Sequence, residues 1–130
     1  MKKYRRFIKR GTKDPLEKIP FHTKAPIKRL SMLSKSLIPE SNTHVAVHFI
    51  DASKNLPEYS QLHKHNQDEI NLILSEDSKL KYKIQLEDEF YNVTSPSTIF
   101  IPKGIRHSAQ PISGKGIFVC IILSDEYTSK

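Results

Sequence analysis

Hydrophobic and polar residues alternate clearly in residues 79–86 of this 130-residue chain. Every second position there is apolar, and the four apolar residues are Leu80, Tyr82, Ile84 and Leu86. Side chains of a β-strand point alternately to opposite faces, so a period of two indicates a strand buried on one face only. We therefore predict a strand whose apolar face covers a core and whose lysine-rich face meets water.

Similar short runs recur from residue 44 to residue 123, separated by turn-forming residues. The pattern predicts strands over 44–50, 59–65, 69–74, 79–86, 90–93, 98–101 and 116–123. The last run is apolar at nearly every position, which is typical of an interior strand. A series of short strands, with no periodic helix beyond the first ten residues, indicates an all-β sandwich or barrel.

Residues 14–43 lack a sustained period and contain four prolines, at positions 15, 20, 26 and 39. Proline ends helices and removes a donor from sheets, so we predict an irregular lead-in with room for one edge strand. The length of the chain fits a single domain. We divide it into a basic N-terminal arm (1–13), this lead-in (14–43) and a barrel (44–130).

The formal net charge of +7 is concentrated in the basic arm. Residues 1–13 hold seven of the 21 lysines and arginines and none of the 14 acids, so residues 14–130 are formally neutral. The body thus lacks the basic excess of a nucleic-acid-binding domain, and we do not expect nucleic acid as a partner. Tyr4, Phe7 and Ile8 have helical spacing, so the arm could pack on a partner subunit, lie on an anionic surface, act as a targeting peptide or stay solvated.

Cys120 is the only cysteine, which rules out a disulfide within the chain. A chain of this size without disulfides fits a reducing compartment, and we expect the cytoplasm. Cys120 lies in the apolar run 116–123, where a buried thiol behaves as a small hydrophobe. No run approaches the roughly 18 apolar residues of a membrane span, and none is predicted.

The first chemical motif is His63, His65 and Glu69. The three residues are separated by even numbers of positions, so in an extended chain they share one face if the intervening turn preserves the register. Lys64 and Asp68 lie at odd offsets and should point away. Two imidazoles and a carboxylate would then converge.

The second motif is the segment 102–107, which begins with Pro102 and ends with His107. Proline fixes the entry of a turn, and Gly104 permits the positive φ that a tight reversal needs. A neighbouring strand could therefore deliver His107 to the first motif. Three histidines and a glutamate suit Fe, Mn, Co, Ni, Cu or Zn better than calcium or magnesium.

These paired motifs resemble those of the cupin superfamily, whose pattern is His-x-His, three or four residues, Glu, and later Pro-x-Gly-x-x-His. The resemblance covers residues 44–123 and implies a double-stranded β-helix, or jelly-roll barrel. It also implies that the metal ligands are His63, His65, Glu69 and His107, and that the protein is a homodimer. Glycines that usually flank the first motif are replaced here, by Pro57 and Glu76 among others.

Four further residues are candidates for contact with a bound ligand: His48, Tyr59, Gln67 and Arg106. Gln67 has the strand parity of the first motif, and the positive charge of Arg106 would attract an anion. His48 would line the barrel mouth if its strand face is the inner one, and Tyr59 could orient a ligand. Each has a simpler alternative as a solvated, hydrogen-bonded or core residue, and Phe100 is most simply a core residue. No catalytic residue is assigned.

Four protein ligands leave open positions on a transition metal ion, and an open position is what distinguishes a catalytic metal site from a structural one. The sequence thus indicates a metal-dependent enzyme acting on a small, oxygen-rich and anionic metabolite, such as a keto, hydroxy or sugar acid. Isomerisation, lyase and dioxygenase-type reactions all fit. The alternative is a non-catalytic module that binds a small ligand as a sensor or accessory protein.

Overall fold

The computed structural model of the chain describes residues 2–13, 27–53, 56 and 60–123. Nine strands in this part of the chain form two antiparallel sheets: β1 (Thr12–Lys13), β2 (Lys28–Leu33), β3 (His44–Asp51), β4 (Glu69–Leu74), β5 (Lys81–Leu86), β6 (Glu89–Thr94), β7 (Ser97–Ile101), β8 (His107–Ser113) and β9 (Lys115–Ile122). The larger sheet has the order β1-β2-β3-β9-β4-β7 and the smaller one the order β6-β5-β8. The predicted all-β jelly-roll barrel is confirmed.

The core lies between the two sheets. Leu80 and Tyr82 are fully buried and Ile84 is nearly so, which confirms the predicted inner face of 79–86. Tyr82 stacks on Phe118 of the opposite sheet with ring centroids 4.8 Å apart. Burying such a side chain stabilises the fold by about 1.5–3 kcal/mol. The alternation in β5 therefore supplies much of the contact that holds the sheets together.

The position of β9 agrees with the sequence pattern. It pairs with β3 on one side and with β4 on the other, so it is an interior strand, as its apolar run predicted. β6 pairs back on β5 in the smaller sheet. The described residues contain no helix long and apolar enough to cross a lipid bilayer.

Three strands lie outside the runs that the pattern predicted. β1 has only two residues, which are too few to show a period. β8 was missed because Pro111 and the polar residues Ser108 and Gln110 break the apolar alternation that marks a strand. β2 lies in the lead-in, where the sequence left room for one edge strand, but it pairs with both β1 and β3 and so is not at the edge of the sheet. Its inner positions are polar, so the usual pattern of an apolar inner face does not reveal it.

Two detailed predictions were wrong. Phe100 was expected in the core but is 54% exposed, because the alternation of β7 turns Ile99 and Ile101 inward instead. Residues 60–65, the described part of the strand predicted over 59–65, form no continuous strand. There His63 makes an isolated antiparallel bridge with His107.

The basic arm touches the body of the protein. Its first residues include a single 3-10 turn, Arg5–Phe7, and its last two form β1. Arg6 Nε lies 2.9 Å from Glu40 Oε2, an exposed ion pair. Tyr4 and Ile8 remain largely exposed. The boundaries proposed for arm, lead-in and barrel stay a prediction.

Gly114, between β8 and β9, is expected to be essential for stability. Its φ is +87°, and an added Cβ would lie 2.3 Å from the Lys79 carbonyl oxygen. Gly114→Ala should lower the free energy of unfolding by about 2–4 kcal/mol, since both backbone strain and a clash with main chain arise. Urea unfolding measures this change.

Gly104 provides the matched control. Its φ is +85°, but an added Cβ would meet nothing within 4 Å. Gly104→Ala should therefore cost only the conformational strain, about 1–2 kcal/mol. Equal losses for the two variants would show that the close approach at Gly114 does not matter.

Candidate metal centre

The backbone brings the two sequence motifs side by side. His63 N donates to His107 O at 3.1 Å, and His107 N donates to His63 O at 2.7 Å. His107 begins β8, and Glu69 begins β4 in the other sheet. The candidate ligands thus lie where both sheets meet at one end of the barrel.

The turn of the second motif has the predicted form. Gly104 has a φ of +85°, which confirms the positive value expected for it. Ile105 N donates to Pro102 O at 3.2 Å and closes the turn. Gly104 N also donates to His65 O at 2.8 Å, so the second motif is fixed directly to the first.

The three histidines form a compact buried cluster that could hold a metal ion. One ring nitrogen from each of His63, His65 and His107 lies within 4.8 Å of the others. Glu69 joins them, because its Oε1 atom is 3.2 Å from His65 Nε2 and 3.2 Å from His107 Nε2. All four residues are at most 5% exposed. The structure therefore brings together the four side chains that the motifs singled out.

Backbone carbonyls fix the protonation of two of the rings. His63 Nδ1 is 2.5 Å from Gln61 O, and His107 Nδ1 is 3.0 Å from Ile105 O. A carbonyl oxygen only accepts, so each Nδ1 carries a proton, and in the neutral ring the Nε2 atom carries a lone pair. This is the arrangement that histidine metal ligands usually adopt.

The positions of two buried atoms, Glu69 Oε1 and His107 Nε2, indicate whether a cation fits this site. They lie 3.2 Å apart, yet neither makes a hydrogen bond of acceptable geometry within the described residues. With the ring neutral, two acceptors face each other, which is unfavourable in a buried site. A proton or a metal ion between them removes the conflict. The donor set of three imidazoles and one carboxylate fits a transition metal.

Electrostatics at the cluster favour bound positive charge. Burial raises the pKa of the Glu69 carboxyl, but the neighbouring His107 and His65 rings outweigh that effect and the pKa is lowered. Burial lowers the pKa of His107, and the Glu69 carboxylate more than reverses this, so the pKa is raised. A metal ligand must be deprotonated, so a proton on His107 would compete with a metal ion.

The second oxygen of Glu69 is held by two residues that sequence reasoning did not connect with the site. Asn71 Nδ2 donates to Glu69 Oε2 at 2.8 Å, and Cys120 Sγ donates to the same atom at 3.5 Å. These contacts aim Oε1 at the histidines. Burial raises the pKa of the Cys120 thiol, and the nearby Glu69 carboxylate raises it further, so Cys120 is a protonated donor.

A cavity of about 40 Å³ adjoins the cluster. Its lining includes His63, Glu69 and His107, together with Arg29, His48, Ser60, Asn71, Ala109, Phe118 and Cys120. His48, one of the predicted ligand contacts, therefore does lie on the inner face of β3, and it is only 4% exposed.

The other predicted ligand contacts are not brought to this cavity. Gln67 is half-buried but does not line it. Arg106 is exposed and pairs with Glu87, with Nε and Oε2 3.3 Å apart, because its side chain points opposite to that of His107. Tyr59 lies outside the described residues.

Arg29 is the functional candidate that sequence reasoning missed. It lies on β2 opposite His48 of β3, is 6% exposed, and donates from Nε to His48 Nε2 at 3.2 Å. In the sequence, Arg29 and Ser31 alternate with Leu30 and Met32. That alternation was the available signal, but only the pairing with β3 shows that the polar side faces inward.

No protein-family model and no curated protein matches the sequence. Solved structures match the fold. A cupin-2 domain protein of Rhodospirillum rubrum is 14% identical, with 93% of this chain and 73% of that chain covered and a TM-score of 0.59. A predicted oxalate decarboxylase of Thermotoga maritima is 19% identical, with coverages of 75% and 80% and a TM-score of 0.57.

A third similar structure is the oxalate decarboxylase of Bacillus subtilis, a protein with Mn(II) centres. It is 14% identical, with 78% of this chain but 26% of that chain covered and a TM-score of 0.57. At such identities a structural likeness establishes the fold and leaves the reaction open. The two sheets and these likenesses show that this chain has the fold of the cupin superfamily.

Proposed function

We propose that His63, His65, Glu69 and His107 bind one divalent transition metal ion, with Fe, Mn, Co, Ni, Cu and Zn as the candidates. The observation that carries the proposal is the pair of buried acceptors, Glu69 Oε1 and His107 Nε2, which face each other at 3.2 Å. The Mn(II) centres of the similar Bacillus subtilis enzyme agree with it.

We further propose that the protein is a metal-dependent enzyme acting on a small, oxygen-rich and anionic metabolite. A bound ion would polarise a chelating oxygen of the substrate and stabilise enolate-like charge. The chain itself lines the cavity partly with the apolar side chains of Phe118 and Ala109, while Asn71 and Cys120 hold Glu69 in place. Isomerisation, lyase and dioxygenase-type reactions remain the proposed classes.

The small volume of the cavity favours one alternative, a non-catalytic module that holds a small ligand. Both proposals are tested by incubating the metal-loaded protein with small keto and hydroxy acids and following them by NMR. An enzyme should consume at least one acid, and Glu69→Gln, which keeps the shape but removes the charge, should abolish the turnover. Tight binding without turnover would favour the module, and neither binding nor turnover would contradict both proposals.

We also propose a homodimer, on the basis of the outer face of the larger sheet. Register pairs align outward residues into rows such as Val47–Val119–Leu72 and Val45–Ile121–Ile70. We define the outer apolar face as Leu30, Val45, Val47, Phe49, Ile70, Leu72, Leu74, Phe100, Ile117, Val119 and Ile121. All eleven are at least partly exposed, and none is charged.

The size and chemistry of the outer apolar face suit a second copy of the chain. Five strands spaced about 4.8 Å apart and about 20 Å long span roughly 500 Å², a size at which an apolar patch on a monomer usually has a function. The centre of this face, on β3, β9 and β4, is apolar, whereas Lys13 and Lys28 lie at its β1–β2 side, opposite Leu30 and Phe49. An apolar centre of this kind can pack on its own copy about a twofold axis, as sheets do in sandwiches. The cytoplasmic location stays a prediction, which rests on the fact that a chain with a single cysteine forms no internal disulfide.

A further inference from the structure

The basic arm carries a dense patch of positive charge that the proposed metal site does not use. Its seven lysines and arginines are all exposed, and the rest of the chain is formally neutral. Only Arg6 forms an ion pair with a described residue, Glu40. The other six positive charges of the arm are therefore open to an anionic partner.

Apolar side chains lie among these charges. Tyr4, Phe7 and Ile8 are 63%, 42% and 68% exposed. Tyr4 and Phe7 are three residues apart across the 3-10 turn, which places them on the same side of it, and their rings stack with centroids 6.4 Å apart. A cluster of exposed apolar side chains surrounded by polar residues marks a surface that contacts a protein or a membrane.

The folded protein holds the arm at two points. Arg6 pairs with Glu40, and β1 pairs with β2 at the edge of the larger sheet. Backbone hydrogen bonds also close the 3-10 turn, since Phe7 N donates to Tyr4 O at 3.1 Å and Ile8 N donates to Arg5 O at 3.0 Å. The charges and apolar side chains of the arm are thus presented together on the surface of the barrel.

The surroundings of the two rings favour a lipid surface over a nucleic acid. Bases stack on open aromatic faces. Here Lys3 Nζ lies 5.0 Å from the ring centroid of Tyr4, and Arg6 Cζ lies 4.2 Å from that of Phe7, while the two rings also contact each other. Ile8 has no ring to offer a base, but it can enter the apolar boundary of a bilayer.

We propose that the basic arm binds the surface of an anionic phospholipid bilayer. Its lysines and arginines contact the headgroups, and Tyr4, Phe7 and Ile8 enter the boundary between headgroups and acyl chains. Membrane affinity of this kind grows with the buried apolar area and with the attraction between basic residues and anionic lipids, and the arm supplies both. The inference goes beyond the proposed function, because it does not depend on the metal site.

Sedimentation of the full-length protein with phospholipid vesicles tests the proposal. Vesicles with about one part phosphatidylserine to three parts phosphatidylcholine should bind the protein about tenfold or more tightly than vesicles of phosphatidylcholine alone. Raising the salt from about 0.1 M to about 0.5 M should weaken the binding, because salt screens exposed charges. Failure to bind the anionic vesicles, or equal binding to both kinds, would overturn the proposal.

A double variant tests the charges of the arm. Lys9→Gln combined with Arg10→Gln should weaken binding to the anionic vesicles by about 20- to 30-fold, since each basic residue near such a surface contributes roughly fivefold. The matched control is Lys79→Gln combined with Lys83→Gln, which removes two exposed charges from the other sheet or its approach and should change the affinity less than about threefold. An equal loss in both variants would show that net charge acts, and not the arm.

A single variant tests the apolar contact while every charge stays in place. Ile8→Ser should weaken binding to the anionic vesicles by about tenfold or more, because the apolar area that enters the bilayer is lost. Ile112→Ser is the matched control, since Ile112 is 44% exposed on β8 of the smaller sheet, and the affinity should stay within about twofold. Unchanged binding by Ile8→Ser would overturn the insertion of the arm.

An oligonucleotide of about twenty thymidines tests the choice of partner, because single strands bind to basic surfaces that offer aromatic rings. The protein should bind it more weakly than the anionic vesicles at the same salt concentration. Tighter binding to the oligonucleotide would overturn the assignment of the arm to a lipid surface.

Discussion

His107→Ala is expected to weaken the binding of a divalent transition metal ion by about 100-fold or more while the barrel stays folded. Loss of an outer-shell partner already costs about 10- to 100-fold in metal affinity, and loss of a ligand costs more. Together with Gly104, His107 also joins the second motif to the first, through its contacts with His63 and Glu69. Metal titration followed by calorimetry measures the change.

His44→Ala is the matched control for this prediction. His44 lies on β3 outside the cluster and does not line the cavity, so its removal should leave the metal affinity within about twofold. Circular dichroism before titration shows whether each variant is folded. Full metal retention by folded His107→Ala, or an equal loss in His44→Ala, would contradict the assignment of the ligands.

Val119→Lys is expected to convert the proposed homodimer into a monomer. Val119 lies at the centre of the outer apolar face, between Val47 and Leu72 on the neighbouring strands. In a twofold dimer each copy would bring its own ammonium group into the buried interface, and two like charges there are strongly unfavourable. Sedimentation velocity should therefore show the mass of a dimer for the unmodified protein and of a single chain for the variant.

Phe90→Lys is the control for the dimer prediction. Phe90 is 58% exposed on β6 of the smaller sheet, so the same kind of exchange is made on the other side of the barrel. This variant should remain dimeric. A monomeric unmodified protein, or a dimer that survives Val119→Lys, would show that the outer apolar face is not the interface.

The strands that were predicted correctly are those whose own residues show a strong hydrophobic pattern. The alternation in β5 and the apolar run of β9 each identify a strand and its burial, because hydrophobic period and strand geometry coincide there. The candidate metal cluster was predicted because its residues fall in two short motifs. In the second motif, the turn was predictable because Pro102 and Gly104 each prefer the backbone conformation that the turn requires.

The parts that the sequence did not predict depend on contacts between distant residues. β8 contains Pro111 and alternates weakly, so its pairing with β5 sets its structure. Arg29 faces inward only because β2 pairs with β3 in the register that places it opposite His48. The outward orientation of Arg106 has the same kind of cause. Because β8 turns His107 inward, the side chain of the preceding residue, Arg106, points to solvent and pairs with Glu87.

The most direct measurement is anomalous X-ray diffraction from crystals of the metal-loaded protein, collected on both sides of the absorption edge of the metal. The account predicts one strong anomalous peak about 2.0–2.2 Å from a ring nitrogen of each of His63, His65 and His107 and from a carboxylate oxygen of Glu69. A peak at any other place on the chain, or four side chains with no metal between them, would contradict it.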